Sequence, residues 1–258
     1  MSIITSRDNP RVRRWRALIR DARARREESR AVIEGEHLVT ACLDAGWKIE
    51  ALVLARTSAS RFEVLTKRVG TAAVLADAAF RSIADAEAPA GIAAEIALPA
   101  TTLDLRGAKT CVFLEGIQDA GNVGTILRSA AAFGVAHAVL GPGCADAWSP
   151  KVLRAGMGAH FAMEISEHAD LVDAIGKFAG KIACTLARGG TAPRDTDLAG
   201  RIGWIFGSEG QGVSPALAAR AALKVTIPMA GGTESLNVAA AAAICLYEAA
   251  CRGDMRSP

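Results

Sequence analysis

Four polar side chains fall where apolar runs meet turns, the places where an open α/β sheet keeps its chemistry, and a fifth follows one of them along a helix. Asn122 follows Gly121, and Gly124 permits close backbone approach. Arg128 lies six residues further on, about 9 Å along a helix axis, and is the only charge between Val123 and Phe133. Glu209 sits in Gly207-Ser208-Glu209-Gly210-Gln211-Gly212, directly after the apolar run Trp204-Ile205-Phe206. Ser235 and Asn237 bracket Leu236 at the mouth of an alanine-rich run, where free backbone N–H groups collect. Such a set offers an arginine to meet an anion, an acid held by the strand before it, and small groups able to fix a ligand's geometry. Each also has a plainer reading. Asn122, Ser235 and Asn237 can be helix caps, Arg128 can snorkel from a buried helix, and Glu209 can be a surface acid.

Other chemistries are disfavoured. There is no GxxxxGK[ST], and no GxGxxG at an early strand-to-helix turn. Gly207 to Gly212 carries an acid where a phosphate loop wants a donor. The cysteines and histidines are scattered, with no CxxC, so a zinc site is not expected and the thiols read as reduced and buried. Ser149-Pro150-Lys151-Val152-Leu153-Arg154 places two cations beside Gly156 and Gly158; it reads either as an RNA-facing segment or as a surface helix.

The elements that must position these residues follow from hydrophobic periodicity. Residues 1–97 read as a small α/β unit: a basic helix over about 8–28, a short strand at Ala31–Ile33, a helix from His37 to Ala45, then strands at Ile49–Leu54, Thr71–Leu75 and Gly91–Ala97. A proline-marked connection over 98–107 leads into a second domain, 108–258. There, strands at Thr110–Leu114, Ala136–Leu140, Ile182–Leu186, Trp204–Phe206 and Leu223–Ile227 alternate with helices. The helices are Val123–Phe133, a piece after Ser149-Pro150, Ala169–Phe178, Pro215–Ala222 and Leu236–Cys251, with a frayed tail at 252–258. That alternation predicts a parallel sheet covered on both faces. The run Val238–Ala243 is small and apolar on every side, so it must be buried in a core or against a partner.

Charge adds one pointer. The net charge is +3, yet residues 1–30 hold ten arginines against four acids. A stripe of this kind suits a phosphate backbone, although a solvated helix face would also explain it. No uncharged apolar run is long enough to span a bilayer and no signal peptide is evident, so a soluble, cytoplasmic protein is expected.

Taken in order, Gln118 to Arg128, Phe206 to Gly212, and Val225 to Val238 resemble the three motifs of the SpoU (TrmH-like) RNA ribose 2′-O-methyltransferases of the SPOUT superfamily. The resemblance runs from about residue 108 to 250; residues 1–97, with Ile33-Glu34-Gly35, look more loosely like the ribosomal-protein-like substrate-binding domain of many members. It implies a carboxyl-terminal parallel sheet tied in a trefoil knot, a homodimer joined through the methyltransferase domain, and S-adenosylmethionine held by backbone around Gly207, Ile227 and Leu236. The implied catalytic residues are Asn122, Arg128, Glu209, Ser235 and Asn237, with no metal. Ala120 stands where proline is usual, Glu115 where aspartate is common, and Gly156 where serine is frequent.

The implied chemistry is in-line methyl transfer to a ribose hydroxyl, which needs orientation and stabilisation of developing alkoxide. Arginine stays protonated, so Arg128 fits an electrostatic role better than that of a base. The two-domain layout favours ribosomal RNA, 23S above all, over tRNA. A catalytically silent RNA-binding protein and a nucleotide-dependent oxidoreductase are the competing expectations.

Overall fold

The computed structural model describes residues 3–100, 103–231 and 235–252. Gly232 and Glu234 of the third motif, and the tail beyond Arg252 that was expected to fray, lie outside them. The first hundred residues form α1 (Pro10–Arg20), α2 (Ala22–Glu28), β1 (Arg30–Glu34), α3 (Glu36–Asp44), β2 (Ile49–Ala55), α4 (Glu63–Val69), β3 (Ala72–Leu75), α5 (Asp77–Ile83) and β4 (Ile92–Ala97). The rest forms β5 (Thr110–Leu114), α6 (Ala120–Ala132), β6 (His137–Leu140), α7 (Pro150–Gly156), β7 (Glu164–Ser166), α8 (Leu171–Lys177), β8 (Lys181–Thr185), β9 (Ile202–Phe206), α9 (Pro215–Ala218), β10 (Leu223–Val225) and α10 (Val238–Arg252). No described helix is long and apolar enough to cross a membrane.

The chain divides into two compact units: Met1–Ala100 with Trp148–Phe161, and Thr101–Ala147 with Ala162–Pro258. In the first, a mixed sheet runs β1-β4-β2-β3, with only β2 and β3 parallel. Val12, Trp15, Leu18 and Ile19 of α1 bury one helix face against Val53, Leu75, Phe80 and Ile83. The basic region is two helices rather than the single one expected over 8–28. Asp21 adopts an extended backbone, and its carboxylate caps α2 by accepting from the Arg23 amide at 2.8 Å. A local side-chain acceptor here wins over continued helix. Segment 148–161 folds with this unit because its aromatic rings find partners there: Trp148 and Phe161 lie 5.9 and 5.3 Å from the Trp47 ring. Arg154, read above as a possible RNA contact, pairs with Asp85 at 2.7 Å.

The second unit holds six parallel strands in the order β10-β8-β9-β5-β6-β7. Every residue of β9 is buried, as a strand covered on both faces requires. Phe113, Val139, Ile175, Phe178, Ile182, Ile205 and Leu217 make its core on one face. The described residues of this chain cover α10 on one side only. Ala239, Ala242, Cys245 and Leu246 are buried, but Ile244 is 39% and Tyr247 53% exposed, so one apolar face is uncovered. Burial pushes the Cys42 thiol up to about 11 and the Cys245 thiol up to about 12, while Cys251 is exposed.

Candidate active site

The six-stranded sheet reverses its winding between β5 and β9. β6 and β7 extend it one way, β8 and β10 the other. Loops leaving two adjacent carboxyl ends at such a point part company and leave a crevice. Asn122 leaves after β5 and Glu209 after β9, and in the crevice they meet: Asn122 Nδ2 donates to Glu209 Oε1 at 2.7 Å. Asn237, arriving from beyond β10, completes the line by donating from Nδ2 to Asn122 Oδ1 at 2.9 Å.

The direction of this relay follows from chemistry at both ends. Asn237 Oδ1 accepts from the amides of Ala239 and Ala240 at 2.9 and 3.3 Å, so its nitrogen must face Asn122. The Glu209 carboxylate, when ionised, only accepts, so the Asn122 nitrogen must face it. Capping is therefore half of Asn237's role, and the amide's other end belongs to the site. Asn122 itself is not the cap expected. Asp119 is the N-cap of α6, accepting from the Asn122 amide at 2.8 Å, and the helix begins at Ala120. Freed from capping, the Asn122 side chain serves the relay.

The loop bearing Glu209 is tightly closed. Gly212 N donates to Ser208 O at 2.9 Å. A Cβ on Gly207 would lie 2.1 Å from the Gly212 carbonyl atoms and 2.3 Å from Val213 N, so only glycine fits. Glu115 fastens the loop at its root. Its amide donates to Phe206 O at 2.9 Å and its carboxylate accepts the Ser214 amide at 2.8 Å. Glu115, which stands where aspartate is common, thereby reaches a backbone amide 99 residues away. Thr226 does similar work beside it, accepting from Gly190 N at 2.9 Å and donating to Leu186 O at 3.0 Å. Only the acid after β5 left any trace in the sequence; Thr226 left none.

Beside the relay opens a cavity of about 410 Å³. Gly207, Ile227 and Leu236, the expected cofactor contacts, all line it, as do Glu209 and Ser235. Its other walls are Thr185, Leu186, Gln211, Val225, Met229 and Val238, a mixture of apolar surface and a few polar groups. Such composition and size suit a small organic ligand. Ser235 is exposed at its rim, and Glu209 Oε2 has no hydrogen bond among the described residues. Arg128 is not brought into the relay. It is exposed on α6 rather than set into a cleft floor, and no ion pair or hydrogen bond holds its guanidinium among the described residues. Those residues contain no group of three or more His, Cys, Asp or Glu able to hold a metal.

Residues 109–247 match the SpoU rRNA Methylase family, and residues 9–94 match the MRM3-like substrate binding domain. The chain is 31% identical over 249 residues to the 23S rRNA (guanosine(2553)-2′-O)-methyltransferase RlmP of Bacillus subtilis, covering 96% of this chain and 98% of that protein. An rRNA methyltransferase from Sinorhizobium meliloti superposes with a TM-score of 0.84 at 30% identity over 96% of each chain, and its AdoMet-bound form with 0.82 at 29%, over 96% of this chain and 97% of that one. The SpoU methyltransferase AviRb from Streptomyces viridochromogenes, in complex with AdoMet, gives 0.82 at 26% identity, covering 95% of this chain and 98% of that one. With a family match over 109–247 and a relative aligned along nearly its whole length, the chain belongs to the SpoU rRNA methylase family.

Proposed function

We propose that this chain transfers a methyl group from S-adenosylmethionine to a ribose 2′-hydroxyl of RNA, with ribosomal RNA, 23S above all, as substrate. The carrying observation is the relay from Asn237 through Asn122 to Glu209 at the edge of the cavity that Gly207, Ile227 and Leu236 line. The cavity fits the cofactor on its own terms. Gly207, Gly210 and Gly212 line it without side chains, and Leu186, Ile227, Met229 and Leu236 offer a slot for an apolar ring. S-adenosylmethionine, when bound, supplies a methyl group already activated by its sulfonium.

What remains to the chain's own residues is to present a hydroxyl in line and to stabilise the charge it develops. Glu209, with Oε2 free, orients the ribose, and Asn122 fixes that carboxylate. Ser235 adds a hydroxyl at the rim. Arg128 meets RNA phosphate or the developing alkoxide as a permanent cation, which its open, unpaired guanidinium suits.

The same reading assigns 1–97 to RNA binding, 98–107 to a linker and 108–258 to catalysis, in a cytoplasmic protein. The loops after β8, β9 and β10 converge on one cavity, which is compatible with the knotted topology the resemblance implies. Ala240, Ile244, Tyr247 and Cys251, spaced by four, three and four residues, form an open stripe on α10. We infer that a second copy covers it and that the protein is a homodimer.

Calorimetric titration with S-adenosylmethionine and its demethylated product tests the reading. Saturable binding that weakens at least tenfold in Glu209→Ala or Leu236→Asp supports it. Absence of binding by the folded dimer, with and without RNA, refutes it and leaves an RNA-binding protein without catalysis.

A further inference from the structure

The arginines of the amino-terminal region separate into two groups by what their guanidinium groups touch. One group is structural. Arg14 donates twice to Glu95, at 2.9 Å each, and also bonds Glu28. Arg30 reaches Glu95 at 3.1 Å and Glu50 at 3.3 Å, and Trp15 Nε1 donates to Glu95 at 2.9 Å. Glu95 is 3% exposed, so its buried carboxylate oxygens depend on these donors for partners. Arg25, 4% exposed, gives Nη1 to the carbonyls of Leu18 and Ile19 at the end of α1. In the concavity of about 290 Å³ lined by Arg11, Arg14 and Arg30, Arg14 and Arg30 are paired with Glu28, Glu50 and Glu95, and Arg11 lies over the Trp15 ring at 4.9 Å.

The second group is uncompensated. Arg13 and Arg20 are exposed, and their side chains make no hydrogen bond or ion pair among the described residues. Arg16 lies between them, and its bonds go only to neutral acceptors: Ser82 O at 3.2 Å, Ser82 Oγ at 2.8 Å and Arg7 O at 3.2 Å. At 100° per residue the three fall within an arc of about 60°, on a face turned from the buried Val12, Trp15 and Leu18. The Arg16 contact with the Arg7 carbonyl also brings the exposed Arg7 close to this face. The nearest carboxylates in sequence do not pair with the three α1 arginines. Asp21 accepts from the Arg23 amide, Asp77 accepts from Thr57 and faces Arg56 and Arg81, and Asp8 is exposed.

We propose that Arg13, Arg16 and Arg20, with Arg7 beside them, form a face of the first unit that grips an RNA backbone. The inference rests on RNA being the substrate and adds which residues hold it. Free guanidinium forks match phosphate oxygens in pairs, and Arg16 is already oriented by Ser82, so little side-chain freedom is lost on contact. No large apolar side chain is exposed among these arginines, which disfavours insertion into a membrane.

The test is filter binding of full-length protein to in vitro transcribed 23S rRNA across a salt series, for wild type, Arg13→Ala/Arg20→Ala, and Arg14→Ala. Each lost phosphate contact weakens binding by roughly five- to eightfold at 0.1 M salt and lowers the slope of log K against log salt by about 0.7–0.9. The double variant is expected to bind about 30-fold more weakly, with a slope lower by about 1.5, an unchanged melting temperature, and a raised KM for RNA rather than a lowered kcat. Arg14→Ala is expected to melt earlier, having left Glu95 short of donors. Unchanged affinity and slope in the double variant would overturn the proposal even if wild type methylates RNA. If wild type binds RNA through this face but transfers no methyl group, the face stands and the enzymatic reading fails.

Discussion

Gly207→Ala is the most informative single change. The glycine is buried at the end of β9, and the added Cβ would lie 2.1 Å from the carbonyl carbon and oxygen of Gly212 and 2.3 Å from Val213 N. Real contacts of that atom stay beyond 3.0 Å, so roughly an ångström of movement is forced on backbone that has no rotamer to change. Overpacking of this kind costs about 1–3 kcal/mol. The displaced segment also carries the Gly212–Ser208 and Ser214–Glu115 hydrogen bonds, each worth about 1 kcal/mol. The expected stability loss is therefore about 2–4 kcal/mol. Because the same movement shifts Glu209 away from Asn122 and deforms the cavity wall, cofactor affinity is expected to fall at least tenfold, the equivalent of about 1.4 kcal/mol. Gly210 is the internal comparison: nothing lies within 4 Å of its added Cβ, so Gly210→Ala should leave stability within about 0.5 kcal/mol of wild type or slightly raise it. Thermal denaturation and cofactor titration on both variants decide the matter. Equal stability and equal cofactor binding in Gly207→Ala and wild type would refute the account of this loop.

Three further outcomes are expected. Asn122→Asp replaces the donor to Glu209 with a second acceptor at 2.7 Å, so the carboxylate loses its partner and activity should fall below a tenth of wild type; activity equal to wild type would contradict the relay. Ile244→Glu places a charge on the open stripe of α10 and should shift the sedimentation coefficient from dimer to monomer, whereas a dimer persisting at micromolar concentration would exclude this surface as the interface. The Cys42 and Cys245 thiols, raised by burial to about 11 and about 12, lose protons in the unfolded chain first. Their contribution is complete below an unfolded value of about 8.5 and is lost as pH rises through the folded ones, so melting temperature should fall from pH 9 to 11 more steeply in wild type than in Cys42→Ala/Cys245→Ala.

How much of this could be read in the residues varies by element. β5 is bounded as expected, Thr110–Leu114, because a fully buried parallel strand is a short apolar run with polar ends. β7 escapes notice because Glu164–Ser166 offers one buried residue, Ile165, and no pattern. The break between α1 and α2 is hidden since arginine continues through it; only the capping geometry of Asp21 reveals two helices. At the site, motif order pointed to Asn122, Glu209 and Asn237 before their contacts were seen, and the structure joins them directly. It could not give Asn122 its role, because Asp119, three residues earlier, competes for the same cap. Nor could periodicity reveal that Trp148–Phe161 folds with the first unit, which depends on the Trp47 ring 101 residues before Trp148. Contacts set by tertiary packing leave no local signal.

The most direct measurement is the position of the transferred methyl group. Ribosomal RNA incubated with the protein and methyl-labelled S-adenosylmethionine, then hydrolysed in alkali and resolved by mass spectrometry, should yield one alkali-resistant dinucleotide carrying the label, because a methylated 2′-oxygen cannot attack the adjacent phosphate. The same digest from Glu209→Ala should lack it. Label found on a base, released as an alkali-sensitive mononucleotide, or no label at all from a protein that binds both cofactor and RNA, would contradict the account.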